Sequence, residues 1–182
     1  MTEYQLIEEC RGGNFENFSK LIHVSAPFAF SVAFRMVGDE DNAKDIVQET
    51  MVAIWQKIGK IRSAEAYRTW VYRIVLNKCY DQLRRTKNNP EFSADEKTWN
   101  HLSEIVSGSN STPLDNEDSA RILSMLTNRL SPNQKAVFIL SEIEAMSHDE
   151  IAEITGMSKT IIKANLYHAR KNISGMVEKY LK

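Results

Sequence analysis

Arg73, Asn77 and Arg84 are spaced i, i+4 and i+11, which puts them on one face of any helix that contains them. Tyr67, Arg68, Trp70, Tyr72, Lys78, Tyr80 and Arg85 fill the same stretch. Cations neutralise phosphate, an asparagine amide pairs with a base edge, and aromatic rings stack on unpaired bases, so the mixture suits nucleic acid. The competing explanation is a core of Tyr67, Trp70, Val71 and Ile74 with a solvated basic rim. Some of these residues must serve such a core.

A second constellation runs from Ser147 to Ile173. Ser147 and Glu150 have capping-box spacing, Gly156 supplies a turn, and Ser158 caps the next helix. In that helix Ile162, Leu166, Ala169 and Ile173 form a stripe to bury, which leaves Thr160, Lys163, Ala164, Tyr167 and Lys171 outward. A recognition helix in the major groove needs small or polar groups near its start and cations for phosphate. Plain helical hairpins contain such turns too.

A third lies in the helix expected from Asp39 to about Lys57. Ala43, Ile46, Val47, Thr50 and Ile54 share the core side, whereas Asp41, Asp45, Gln48, Glu49, Val52, Trp55 and Gln56 project the other way. A valine and a tryptophan among acids mark a partner surface unless a neighbouring helix covers Trp55.

Enzyme chemistry finds no foothold. The sequence has no phosphate-cradling Gly-rich loop and no HExxH, and His23, His101, His148 and His168 lack metal-ligand spacing. Cys10 and Cys79 sit within apolar helical patterns and read as core residues of a reduced cytosolic protein. No basic-then-apolar leader follows Met1, and no uninterrupted apolar run approaches a membrane span.

The elements that must position these groups are helices. The 182 residues are 42% hydrophobic and 26% charged, with seven Gly and four Pro, so long helices are little interrupted. Thr2 with Gln5 and Ser131 with Gln134 repeat the capping box, and Pro132 takes the favoured first helical position. Gly38 ends one helix before Asp39 begins the next, Gly59 closes that one, and Pro27 should kink the helix before Gly38. Charge is segregated: residues 1–56 carry −5, residues 57–87 carry +7, residues 88–118 return to −6, and residues 159–182 carry +5. Two basic blocks flanking an acidic one fit two surfaces on a polyanion, separated by a segment that avoids both. The stretch from Asn88 to Asp118, with Pro90, Gly108 and Pro113, reads as a flexible linker, and a second helical unit opens at about Ser119 with Ile122, Leu123, Met125, Leu126 and Leu130 in register.

Together these residues resemble the extracytoplasmic-function branch of the bacterial RNA polymerase sigma factors, over nearly the whole chain. DEDNAKDIVQETMVAIW (Asp39 to Trp55) is similar to region 2.2 of that family, which docks on the clamp helices of the polymerase beta-prime subunit. By position, Asp45, Gln48, Glu49, Val52 and Trp55 inherit that contact. YRTWVYRIVLNKCYDQLRR (Tyr67 to Arg85) resembles regions 2.3 and 2.4, which open and read the minus-ten element. That implies minus-ten contacts from Arg62, Arg73, Asn77, Lys78 and Arg84, with a flipped base received near the loop Gly59 to Ala66. LSPNQKAVFIL and SHDEIAEITGMSKTIIKANLYHARKNI resemble regions 4.1 and 4.2. The latter implies minus-thirty-five contacts from Ser158, Lys159, Thr160, Lys163, Ala164, Tyr167 and Lys171.

The resemblance implies an all-α protein of two small helical domains, a region 2 bundle at residues 1–87 and a region 4 helix-turn-helix at 119–182, joined by the acidic linker 88–118. Its implied partners are the polymerase core (beta-prime clamp helices and beta flap), promoter DNA and a cognate anti-sigma factor. It implies no cofactor, no catalysis of its own, a cytoplasmic location and no membrane insertion. Two departures stand out. Ala145 follows Glu144 where the family often has Gly, which questions the local turn, and Ala164 with Asn165 replaces the usual Ser-Arg pair, removing a phosphate contact. A stand-alone helix-turn-helix regulator with an N-terminal sensor or dimerisation domain is the alternative, and Val52 with Trp55 discriminates between the two.

Overall fold

The computed structural model describes residues 2–87 and 126–180. The expected linker, and the opening of the second unit at Ile122, Leu123 and Met125, lie outside these residues. Every regular element among the described residues is helical.

Four helices build the N-terminal half: α1 (Glu3–Arg11), α2 (Phe18–Val37), α3 (Glu40–Lys57) and α4 (Tyr67–Lys87). The expected starts at Thr2 and Asp39 and the stop at Gly38 hold, whereas α3 ends at Lys57 and Gly59 falls inside the turn after it. Thr2 and Gln5 form a reciprocal capping box, Asp39 accepts the Asn42 amide at 2.8 Å, and Gly38 ends α2 in the left-handed region at φ 74°. Pro27 lies inside α2, which continues through it from Phe18 to Val37. A tight turn, Ile58–Lys60, follows α3.

α2 is the central helix, packed by α1, α3 and α4. By length and composition alone it is apolar enough to cross a membrane, with mean hydropathy 1.2 over its best window, but Lys20, His23 and Arg35 interrupt it, so it is not the uninterrupted apolar run whose absence the sequence led us to expect. A third of that window is buried inside the protein. Leu21, Ala29, Val32, Ala33 and Met36 meet Ile54, Ile58, Tyr67, Val71, Tyr72, Val75, Leu76 and both cysteines in the core. Two of its buried hydroxyl sites are satisfied: Ser25 Oγ and Tyr67 Oη lie 2.7 Å apart, and Thr50 Oγ1 donates to the Ile46 carbonyl at 2.7 Å, whereas the buried Tyr80 hydroxyl has no partner among the described residues.

The C-terminal half comprises α5 (Pro132–Phe138), prolonged by a π-helical turn Ile139–Ile143, then α6 (His148–Thr155) and α7 (Lys159–Tyr180). Ser131 with Gln134 and Ser147 with Glu150 are reciprocal capping boxes, as their spacing predicts. The turn after Glu144 survives without glycine: Ala145 itself adopts φ 53°, a conformation that costs an L residue roughly 1–2 kcal/mol.

The two halves share one continuous core in this arrangement, with Val137, Ile139, Leu140, Ile151 and Ile162 joining the cluster of the first four helices. α6 lies against α4, and α5 touches both α2 and α4. Polar ties reinforce the junction. Tyr72 Oη donates to Glu144 Oε2 at 2.6 Å, Ser31 Oγ donates to Glu144 Oε1 at 3.3 Å, and the Arg73 guanidinium donates to the Glu153 carbonyl. Burial and the adjacent Glu144 carboxylate push the Tyr72 hydroxyl up to about 12, so it stays a donor at neutral pH. Lys135 is 5% exposed, faces Cys79 of α4, and donates to Asn128 Oδ1 at 3.2 Å.

Candidate nucleic-acid and docking interfaces

α3 presents the first face. Asp45, Gln48 and Glu49 are exposed, and Val52 (50%) and Trp55 (48%) remain half-exposed among them, so the tryptophan is only partly covered. Trp55 is held from one side by Phe15 and Phe18, with ring centroids 4.4 and 4.7 Å away. Phe15, itself 38% exposed, extends the apolar patch and went unrecognised in the sequence. Its signal was an aromatic stranded in the polar turn GGNFEN, where no helical period applies.

The second face is on α4 and the loop before it. Arg73, Asn77 and Arg84 are all exposed on one side of the helix, and Arg62 is exposed in the loop. α1 holds that loop in place. Glu8 accepts the Ala64 amide at 3.1 Å, and Arg11, paired with Glu8 at 2.6 Å, donates to the Ile61 carbonyl at 3.2 Å. Between loop and helix opens a cavity of about 460 Å³ lined by Lys57, Lys60, Arg62, Trp70 and Arg73, with Glu153 of α6 at its edge. Four cations and an indole wall match an unstacked base and its phosphate.

Not every residue expected here is available. Lys78 is half-buried and bridges to Glu49 of α3 at 2.7 Å, and Arg84 pairs with Asp81 at 3.0 Å. Arg73 is occupied by the C-terminal carbonyl end of α6, the negative pole of that helix. Tyr67 and Tyr72 belong to the core and to the junction, and Tyr80 is half-buried, its hydroxyl pushed up to about 12 by burial. Trp70 alone of the aromatics in this stretch lines the cavity.

The third face is α7. Gly156, at φ 74°, ends α6 and donates its amide to the Ala152 carbonyl at 2.9 Å, which turns the chain into the second helix. Ile162, Leu166 and Ala169 are buried as expected, and Met176 rather than Ile173 completes the stripe. Thr160, Lys163, Ala164, Tyr167 and Lys171 are exposed. Ser158 spends its hydroxyl on the helix cap, accepting the Ile161 amide at 3.3 Å, and Lys159 bridges to Asp149 at 2.5 Å. Ile161, 50% exposed, was not singled out in the sequence. Among the described residues no cluster of three or more His, Cys, Asp or Glu side chains is arranged to hold a metal.

Comparisons with known proteins match these parts. Residues 21–89 fit the family described as Sigma-70 region 2, and residues 120–173 fit Sigma-70, region 4. The chain is 30% identical over 152 residues to the RNA polymerase sigma factor NccH of Alcaligenes xylosoxydans xylosoxydans, covering 82% of this chain and 81% of that one. It is 24% identical over 185 residues to the ECF RNA polymerase sigma-E factor of Haemophilus influenzae, covering 98% and 96%. Its fold is similar to that of the sigma factor RpoE from Bartonella quintana, solved in complex with the anti-sigma factor NepR, at TM-score 0.68 and 20% identity over 90% of this chain and 98% of that one.

Proposed function

The chain belongs to the sigma-70 family of RNA polymerase sigma factors, in its extracytoplasmic-function branch, and from that membership we propose a role for each of its three faces. The protein binds polymerase core and directs promoter recognition and DNA melting, while the polymerase performs the chemistry in the cytoplasm. Asp45, Gln48, Glu49, Val52 and Trp55, extended by Phe15, dock on the core. Arg62, Arg73, Asn77, Lys78 and Arg84 hold the minus-ten strand. The outward residues of α7, from Thr160 to Lys171, take the upstream duplex. Residues 1–87 and 119–182 are the two binding units and 88–118 their tether.

The observation that carries this reading is the exposure of Val52 and Trp55 on an acidic face of α3. An acidic and apolar surface suits a basic helical partner, and a stand-alone regulator has no use for it. Strand opening then needs no catalyst. A base that leaves the stack trades stacking for Trp70 and the cationic cavity walls, which favours the open duplex. Since Arg73 is taken by α6 in the packed arrangement, the halves must part before the minus-ten strand binds. A cognate anti-sigma factor that holds them together would silence the protein.

Reconstituted transcription with bacterial core across a promoter library is the test. The wild-type chain should support initiation at a defined subset of promoters. With Asp45 and Glu49 both reversed to Lys, core should no longer co-purify. Unaltered co-purification would overturn the docking assignment.

A further inference from the structure

Base readout by a recognition helix needs side chains that are outward, near the helix start, and not already committed to other bonds. On α7 the polar candidates are largely committed. The Ser158 hydroxyl caps the helix, Lys159 is bridged to Asp149, and Arg170 is bridged to Glu142 at 2.6 Å. Asn165 carries the one amide in the first two turns, the group best suited to a bidentate contact with adenine. Its Nδ2 donates instead to the Ile161 carbonyl at 2.9 Å.

What remains outward and uncommitted in those turns is Thr160, Ile161, Lys163 and Ala164, with Tyr167 and His168 following in the next. Ile161 is 50% exposed and Tyr167 62%, and Ala164 lies one turn from each. Lys163 and Lys171 stand beside this strip as exposed cations. An apolar strip edged by lysines on a surface helix is costly to leave in water unless something apolar and anionic covers it. The major groove of a thymine-rich duplex is such a surface, because each thymine projects a C5-methyl group there between two rows of phosphate.

We propose that α7 reads its upstream element chiefly through thymine methyl groups, with Ile161 as the principal specificity residue and Ala164 and Tyr167 extending the contact. The inference rests on the assignment of α7 to upstream duplex and specifies what that surface recognises. Lys163 and Lys171 hold phosphate on either side, and base-edge hydrogen bonding from Thr160 is secondary.

The experiment uses the full chain assembled with polymerase core. An upstream element is first selected from a randomised duplex library, and each thymine is then replaced singly by uracil, which removes the methyl group and nothing else. The wild-type complex should lose affinity roughly three- to fivefold at one or more positions, the scale expected for one buried methyl. Ile161→Ala should weaken binding to the thymine duplex by a similar factor and become indifferent to uracil at the position Ile161 covers. Ile161 is on the surface, so the variant should fold normally. Equal binding of thymine and uracil duplexes at every position, with upstream selectivity intact, would overturn the methyl readout alone. Absence of any upstream sequence preference would overturn it together with the assignment of α7 to DNA.

Discussion

Tyr72 Oη donates to Glu144 Oε2 at 2.6 Å, joining α4 of the N-terminal half to the residue that opens the turn into the helix-turn-helix. A hydrogen bond to a carboxylate contributes more than a neutral one, about 1.5–3 kcal/mol. Tyr72→Phe keeps the ring in the core and removes this tie together with the hydroxyl's contact to Arg68 within α4. It should shift the protein toward extended forms, read as a larger dye-to-dye distance between labels at Glu16 and Lys171 and a larger radius in solution scattering. It should also raise binding of a single-stranded minus-ten oligonucleotide, because Arg73 is freed. An unchanged distance distribution would show that the junction does not depend on this bond.

Lys135 makes stability depend on pH in an unusual direction. Burial pushes its ammonium down to about 8 from 10.5. Below pH 8 the lysine is charged in both folded and unfolded chains, and the desolvation penalty is fully present. Between about 8 and 10.5 the unfolded chain binds more protons than the folded one, so Lys135 adds stability as pH rises. Cys79 opposes this above pH 9, since burial pushes its thiol up to about 12 and the fold retains that proton. The difference between wild type and Lys135→Met isolates the lysine. The variant should be more stable by about 1–3 kcal/mol at pH 7, with the gap closing toward pH 10 in denaturant titrations.

Ala145 pays for a left-handed turn that glycine would adopt without steric cost. Ala145→Gly should therefore stabilise the protein by about 0.5–1 kcal/mol, the relief of strain exceeding the added freedom of the unfolded chain. Thermal unfolding monitored by circular dichroism measures it, and a loss of stability would contradict the strain assigned to this turn.

Trp55→Ala and Phe15→Ala should each weaken core association about tenfold or more, as expected when a central aromatic is removed from an interface. Binding of the upstream duplex should be unaffected. Surface plasmon resonance with immobilised core separates the two readouts.

Arg84→Ala should weaken promoter binding across sequences and lower the salt slope by about one, since Arg84 is held only weakly, by an exposed pair with Asp81 and a long 3.4 Å bond to the Tyr80 carbonyl. Asn77→Ala should instead change base preference. Equal effects of both variants on every promoter would remove the readout role given to Asn77.

Much of this was legible because capping and period are local. The boxes at Thr2, Ser131 and Ser147 and the buried stripe of α7 follow from neighbours within four residues. What escaped is set by distant contacts. No period reveals that Tyr72 ends on Glu144, that Lys78 turns toward α3, or that Phe15 folds back onto Trp55. The sequence leaves Tyr67 open to either core or nucleic acid and counts Tyr72 with the nucleic-acid stretch, since an aromatic beside arginine serves either, and packing alone assigns both to the interior. Ile161 was legible but passed over: the stripe through Ile162, Leu166 and Ala169 already leaves it outside the core.

The bridge between Glu49 and Lys78 ties one residue assigned to the core to another assigned to DNA. Two ligands that draw on one ion pair obey thermodynamic reciprocity: whichever takes its residue first releases the other residue for its partner, and each raises the affinity of the other by the same factor. A pair this exposed is worth at most about 1 kcal/mol, so the cooperativity it transmits is about fivefold. That is enough to favour the complete assembly over either partial complex, and a charge-neutral substitution at either end should abolish it while leaving each separate encounter possible.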